Sequence, residues 1–304
     1  MKYLLTGASG FLGRHILAAL PKGAVVTLGR GPENAIECDL ASSVPDLPPV
    51  DVVIHSAGKA HMVPKTQEEG EEFFRVNLQG SKNLLQALED SRALPRQLVF
   101  ISTVSVYGRE SGEMISENHP LEGESPYALS KIEAEREMER WGEKNGVPVL
   151  ILRLPLIVGD SAPGNLGRMI RGIQTGRYAS IAGGKARKSM VLAEDVAELI
   201  ARVGGQRGVY HLTDGYHPSF NELETAIAAQ LHTRILLKLP IAVAKVLAKI
   251  GDLLPFFPVN SRLVDKMSLD LTFDDSRAQR ELSWAPRSVL DFRFLDIKGQ
   301  QANQ

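Results

Sequence analysis

Short β-rich runs, most of them unbroken stretches of apolar residues, punctuate the first half of this chain. They are KYLLT (2–6), AVVTL (24–28), AIEC (35–38), DVVIHSA (51–57), QLVFIST (97–103) and VPVLILRLP (147–155). A strand with one face in water alternates apolar and polar residues, so runs without alternation read as parallel strands covered on both faces. Helical stretches near 10–20, 67–90 and 126–145 separate them. Strand, helix and strand in repetition require right-handed crossovers, and hence a doubly wound parallel α/β sheet.

After Pro155 the texture changes. Residues 156–188 are rich in Gly, Arg and Lys, residues 191–212 read as a helix followed by the strand VYHL, and 214–296 hold helices separated by Pro-containing breaks. The expected organisation is a nucleotide-binding domain of residues 1–155 plus 189–213. A smaller mixed lobe of 156–188 plus 214–296 takes the substrate, and 297–304 form a frayed tail. With 43% hydrophobic and 23% charged residues in 304, the chain has the composition of a core-forming globular protein and not of a disordered one. Thirty-five basic residues against 36 acidic leave no electrostatic footprint for nucleic acid. Cys38, the sole cysteine, cannot make an internal disulfide or a Cys-rich metal site. No apolar run reaches the 18 or so residues of a membrane span, and the N-terminus lacks a signal-type apolar stretch. A cytoplasmic location is expected.

The first strand runs into TGASGFLG, with Gly7, Gly10 and Gly13 three apart. Gly7 suits the tight turn, Gly10 lets backbone amides approach a pyrophosphate, and Gly13 lets the following helix pack closely, its N-terminal dipole facing the anion. A glycine triplet between a first strand and a helix is the Rossmann-type dinucleotide fingerprint. Past the second strand, where NAD-binding units carry Asp or Glu, this chain has Leu28, Gly29 and Arg30. Arg30 suits a 2′-phosphate, which favours NADP over NAD; a solvated loop arginine is the competing reading. Asp39, past the third strand, either accepts the adenine amino group or simply forms a turn.

In SPYALSK (125–131), Ser125 and Pro126 signal a helix start, and Tyr127 and Lys131 lie four apart on one face. A phenol titrates near 10, and a nearby ammonium brings it toward neutral pH, where it can exchange a proton with a substrate. Ser102 and Thr103 end the strand QLVFIST at the carboxyl edge of the sheet, where doubly wound folds bind ligands. A hydroxyl there can bond the substrate oxygen while Tyr127 moves its proton.

With those residues in hand, the chain resembles the extended short-chain dehydrogenases/reductases, in the NAD-dependent epimerase/dehydratase group acting on nucleotide sugars. The resemblance rests on TGASGFLG (6–13), HSAG (55–58), VNLQGSKNLL (76–85), STVSVYG (102–108), YALSK (127–131) and RKSMVLAEDVA (187–197). It implies a catalytic set of Thr103, Tyr127 and Lys131, with Lys131 also on the nicotinamide ribose. It implies cofactor contacts from Gly7, Gly10, Phe11, Leu12, Gly13, Ser56, Ala57, Gly58 and Pro155, with Arg30, Asp39 and Leu40 on the adenosine side. Asn77 would support the helix geometry near the site. Ser102, Thr103, Asn165, Arg187 or Lys188, and Arg262 would meet the sugar nucleotide. The resemblance also implies a homodimer through the helices near 67–90 and 126–145, and the apolar residues Leu129, Ile132 and Met138 of the second helix are expected to bury there.

Two departures narrow the reaction. Sugar 4,6-dehydratases follow the strand-end Thr with Asp-Glu, whereas this chain has Val104 and Ser105. Many 4-epimerases carry Asn in the loop after the sixth strand, where this chain has Leu156. The expectation is therefore reduction of a 4-keto nucleotide sugar, ahead of 4-epimerisation. A non-catalytic, nucleotide-sensing protein would not need Tyr127, Lys131 and Thr103 together. His55, His61 and His119 have no metal-site spacing, and His55 is read as packing at its strand end. Residues 239–254 are amphipathic, with Lys245, Lys249 and Asp252 on one stripe. A helix packed on the second lobe is preferred there to one lying on a membrane. The glutamates of 67–78 read as a solvated face.

Overall fold

The computed structural model describes residues 1–60, 62–91, 93–181, 184–235, 237–253 and 261–294. Along the chain come β1 (Tyr3–Thr6), α1 (Phe11–Ala19), β2 (Val25–Gly29), β3 (Ile36–Glu37) and β4 (Val52–His55). Next, α2 (Gln67–Phe73) passes through a π-helical turn (Phe74–Gln79) into α3 (Gly80–Asp90), and β5 (Gln97–Thr103) follows. A 3-10 turn (Val104–Tyr107), β6 (Gly112–Ile115), α4 (Pro126–Asn145) and β7 (Val149–Leu154) lead to Pro155. The remainder begins with β8 (Leu156–Val158), α5 (Gly164–Gln174), β9 (Ala179–Ile181), β10 (Met190–Leu192), α6 (Ala193–Arg202) and β11 (Gly208–His211). It ends with α7 (Phe220–Gln230), β12 (Leu237–Leu239), α8 (Ile241–Leu253), α9 (Ser261–Ser268), β13 (Leu271–Phe273) and α10 (Ser276–Leu282).

Seven strands form one sheet in the order β11-β7-β5-β4-β1-β2-β3, and every pairing is parallel. The direction of winding reverses at β1, between β2 and β4. That switch point opens a crevice at the carboxyl ends of the strands. Alternate side chains feed two cores. Leu5, Ile54, Val99 and Leu152 pack with Ile16 and Leu199 of α1 and α6. Leu4, Val53, Leu98 and Ile151 pack with Leu84, Met138 and Trp141 of α3 and α4. Each fully buried Leu, Ile or Val side chain contributes about 1.5–3 kcal/mol. Both faces are covered, which is why the strands read as continuous apolar runs.

A third core joins α5 and α7 through Leu166, Ile170, Ile173, Leu223 and Ile227, with Val158, Met190, Leu192 and Phe294. Between the two regions the chain returns once to the large sheet, contributing α6 against α1 and β11 at the edge. The sequence reading of a single helix over 67–90 is corrected: the π-helical turn widens the backbone around Asn77, which is buried. The apolar dimer residues need correction too. Met138 lies in the core beneath α4 and Ile132 packs on Val106, Tyr107 and Phe273, because both fall on the helix stripe that faces the sheet. Of the three, Leu129 alone is exposed, at 39%.

Candidate active site

The loop between β1 and α1 brings backbone to where a side chain would stand. Gly7 has φ of +72°, and a Cβ there would lie 2.7 Å from the Ala57 amide nitrogen. A Cβ on Gly13 would collide with the Gly7 carbonyl oxygen, so glycine lets α1 start against the turn. Gly10 caps the helix without a side-chain hydrogen bond, and its amide bonds the Gly7 carbonyl at 3.0 Å. The amides of Phe11, Leu12 and Gly13 lie in the first turn, where a helix offers no partner of its own. The Leu12 side chain is buried in the core, so only its backbone faces the loop. The result is a cradle suited to a phosphate group.

Beside it, a chain of hydrogen bonds fixes the end of β4. The Ala57 amide donates to Thr6 Oγ1 (3.1 Å), Thr6 Oγ1 meets His55 Nδ1 (2.7 Å), and His55 Nε2 meets Ser81 Oγ (3.0 Å). Ser81 donates to the Asn77 carbonyl (2.6 Å), so His55 must donate from Nε2 and accept at Nδ1. Burial, reinforced by the charge of Lys131, lowers His55 to about 3 and keeps it neutral. Ser56 and Ala57 thus approach the glycine loop as a fixed wall, and Gly58 lies against the Asn77 side chain. Asn77 continues the frame. Its Oδ1 accepts from the Lys59 amide (2.7 Å), and its Nδ2 donates to the Lys59 carbonyl (3.1 Å) and to Ser130 Oγ (2.9 Å). Ser130 donates in turn to the Tyr127 carbonyl (2.8 Å).

Helix α4 starts as its sequence dictates: Ser125 Oγ accepts from the Ala128 amide at 3.1 Å and Pro126 fills the first turn, while Gly146 in the left-handed region ends it. This places residues 127, 131 and 135 on successive turns, and each meets one of three consecutive residues of β5. Tyr127 faces Thr103, whose hydroxyl acts on the phenol and donates to Ser105 Oγ at 3.2 Å. Lys131 Nζ donates to the Ile101 carbonyl at 2.7 Å and lies 3.9 Å from the centre of the Phe100 ring. Glu135 accepts from Ser102 Oγ. Burial acts against both charged forms. It raises the Tyr127 phenol above its ordinary range, partly offset by the Thr103 hydroxyl, and lowers Lys131 to about 7 against the pull of Glu135. The phenol is therefore a proton donor at neutral pH, and Lys131 is poised between its charged and neutral forms. This differs from the expectation of a fully charged lysine that draws the phenol down to neutral pH.

Ser102 requires a correction as a substrate contact. It shares its face of β5 with Leu98 and Phe100, under α4, and is 4% exposed with its hydroxyl given to Glu135. Sequence reasoning also passed over the group that Ser102 joins. Ser102, Arg153 and His211 lie side by side on β5, β7 and β11. Arg153 donates from Nε and Nη2 to Glu135 (3.1 and 2.7 Å) and from Nη1 to Tyr107 Oη (2.8 Å). Tyr107 Oη meets His211 Nε2 at 2.6 Å, and His211 Nδ1 meets the Asp274 carbonyl at 3.0 Å. Since Tyr107 accepts from Arg153, it donates to His211, whose Nδ1 carries the hydrogen. Arg153, a charge inside the apolar run LILRLP, was the one available signal; Glu135 sits in the charged stretch EAEREMER and gives none.

On the adenosine side, Arg30 is exposed at the end of β2, and its charge reaches Glu72 of α2. Asp39 Oδ1 accepts from the Ala41 amide at 3.1 Å, the turn-forming arrangement. Leu40 is buried, and its carbonyl accepts from Asn83 Nδ2 at 2.7 Å. Pro155 sits between β7 and β8. In the second lobe, Asn165 is exposed in the first turn of α5. Arg187 is exposed, but its guanidinium reaches the carbonyls of His217 (3.1 Å) and Tyr216 (3.4 Å) and stacks on the Tyr216 ring. Lys188 bonds the Pro218 carbonyl through its amide. The side chain of Arg262 lies outside the described residues.

The sequence profile of the NAD dependent epimerase/dehydratase family matches residues 3–210. The UDP-glucose 4-epimerase of Vibrio cholerae is 27% identical over 319 residues, spanning 96% of this chain and 92% of that protein. The GDP-6-deoxy-D-mannose reductase of Pseudomonas aeruginosa is 29% identical over 245 residues, 75% of this chain and 79% of that one. The solved structure of RMD from Pseudomonas aeruginosa complexed with NADPH has the same fold, with a TM-score of 0.74 at 23% identity over 98% of both chains.

Proposed function

The chain belongs to the NAD dependent epimerase/dehydratase family, and from that premise we propose an NAD(P)-dependent oxidoreductase acting at C4 of a nucleotide-linked sugar. Its preferred reaction is reduction of a 4-keto sugar. The observation that carries this reading is the placement of Tyr127 against Thr103, with Lys131 one turn along the helix and the glycine loop at the same edge of the sheet. The cradle at Gly7, Gly10 and the start of α1 fits a dinucleotide pyrophosphate, and Arg30 favours NADP. When bound, the nicotinamide supplies the hydride. Tyr127 passes its proton to the C4 oxygen, Thr103 orients that oxygen, and Lys131 holds the ribose and tunes the phenol. A phenol raised by burial stays protonated in the resting protein, the form that can give its proton to a carbonyl oxygen.

In this reading residues 1–155 plus 189–213 bind the cofactor, and 156–188 plus 214–296 bind the sugar nucleotide, with Asn165, Arg187, Lys188 and Arg262 toward its diphosphate. The enzyme works in the cytoplasm as a homodimer, with Leu129 at the contact. The second reading, 4-epimerisation of a UDP-hexose, is supported by the Vibrio cholerae relative, which matches nearly the whole chain. Against it stands Leu156, whose side chain packs toward the third core and offers the sugar no polar group. Tyr127→Phe tests the shared chemistry. The variant should bind NADPH as the wild type does, while turnover falls by orders of magnitude. Undiminished turnover would remove Tyr127 from the mechanism.

A further inference from the structure

Exposed apolar side chains are scattered over most of the described surface, but not around α8. Four of the fourteen large apolar residues that are exposed, Leu237, Ile241, Val243 and Val246, fall within ten consecutive residues. The helix packs inward through its smallest residues: Ala244 and Ala248, four apart, meet Val264 and Met267 of α9. Val243 and Val246, three apart, share a face turned away from that contact and are 45% and 61% exposed. Charge is equally uneven. Residues 234–252 hold Arg234, Lys238, Lys245 and Lys249 against the single acid Asp252, in a chain whose totals are 35 and 36. All four cations are exposed, and none forms an ion pair with a described residue. Asp252 is turned to the start of α9, where it accepts from Ser261 through both its amide (3.0 Å) and its hydroxyl (2.5 Å).

We propose that α8, with β12 leading into it, lies on the surface of an anionic lipid bilayer. Val243 and Val246 enter the boundary between headgroups and acyl chains, and Lys238, Lys245 and Lys249 meet the lipid phosphates. An apolar face bordered by lysines is the pattern of a helix lying in that interface. A second copy of the chain is a poorer occupant. In a two-fold contact the same patch faces itself, setting four cations against four with Asp252 the single acid of residues 234–252. Among the described residues no helix is long and apolar enough to cross a membrane, so the attachment is peripheral. The inference does not depend on which sugar the active site takes.

Sedimentation of the full chain with phosphatidylcholine vesicles, with and without phosphatidylglycerol, tests it. Binding should be at least about tenfold tighter to the anionic vesicles and should weaken as salt is raised. Val243→Glu with Val246→Glu should abolish sedimentation while leaving the thermal melt unchanged, because both side chains already face water. Lys245→Gln with Lys249→Gln should lose about fivefold per lysine on anionic vesicles and nothing on neutral ones. Absence of binding to anionic vesicles, or valine variants that sediment like the wild type, would overturn the proposal. So would light scattering without lipid that shows a dimer broken by the valine substitutions, since the face would then belong to a second copy.

Discussion

Glu135→Ala should destabilise the protein more than any exposed substitution on the same helix. The carboxylate is 2% exposed and neutralises Arg153, 5% exposed, through hydrogen bonds at 3.1 and 2.7 Å, and it also accepts from Ser102. Its removal leaves a guanidinium buried between β7 and α4 with only Tyr107 and the Glu117 carbonyl as partners. Breaking one side of a buried pair costs about 3–5 kcal/mol. At about 2 °C per kcal/mol for a protein of this size, the melting temperature should fall by about 6–10 °C. Replacing both partners, Glu135→Met with Arg153→Leu, should recover most of that loss, because no uncompensated charge remains and Tyr107 keeps His211. Thermal unfolding followed by circular dichroism reads both variants. If the single variant melted like the wild type, or the double variant no better than the single, the reasoning would fail.

Other outcomes follow from the same side chains. Lys131→Met should raise the melting temperature at neutral pH while abolishing turnover, since burial of Lys131, seen in its fall to about 7, opposes folding; a lower melting temperature would contradict this. His55 is lowered to about 3, so the unfolded chain takes up the extra proton first. Stability held above the ordinary histidine value of about 6.5 should decline as pH falls toward 3, by up to roughly 1.4 kcal/mol per pH unit for this group. His55→Gln should flatten the slope, and an identical slope in variant and wild type would assign it elsewhere. Arg30→Asp should shift preference from NADPH to NADH, measured as the ratio of their dissociation constants; equal wild-type affinities would make Arg30 a bystander.

The parts of this molecule legible from sequence are those where a single local rule decides. β5 spans the run QLVFIST, and α4 runs from Pro126 to Asn145 between its Ser125 cap and Gly146, because caps and buried strands write themselves into adjacent residues. The glycine loop was readable for the same reason: Gly7 and Gly13 answer to contacts made by their own turn and by Ala57. The Glu135–Arg153–Tyr107–His211 group was not, since its members lie far apart in the chain and only Arg153, inside an apolar run, stands out from its neighbours. Ser102 misled because a strand-end hydroxyl suggests the substrate, whereas its face of β5 is covered by α4. The three- and four-residue strands β6, β8, β9, β10, β12 and β13 are too short for periodicity to announce; distant partners define them. Ile132 and Met138 are apolar residues of a charged helix, and only the packing of α4 shows that their stripe faces inward.

The central claim, reductive chemistry at C4, is tested most directly by following NADPH absorbance in the presence of a GDP- or UDP-linked 4-keto-6-deoxy sugar, with the sugar products resolved by mass spectrometry and NMR. Tyr127 as proton donor and Arg30 as cofactor selector predict that NADPH is consumed mole for mole as the 4-hydroxy sugar forms, and that UDP-hexoses incubated without reductant remain unchanged. Interconversion of C4 epimers in the second mixture, with no NADPH oxidised in the first, would contradict the account and make the chain an epimerase.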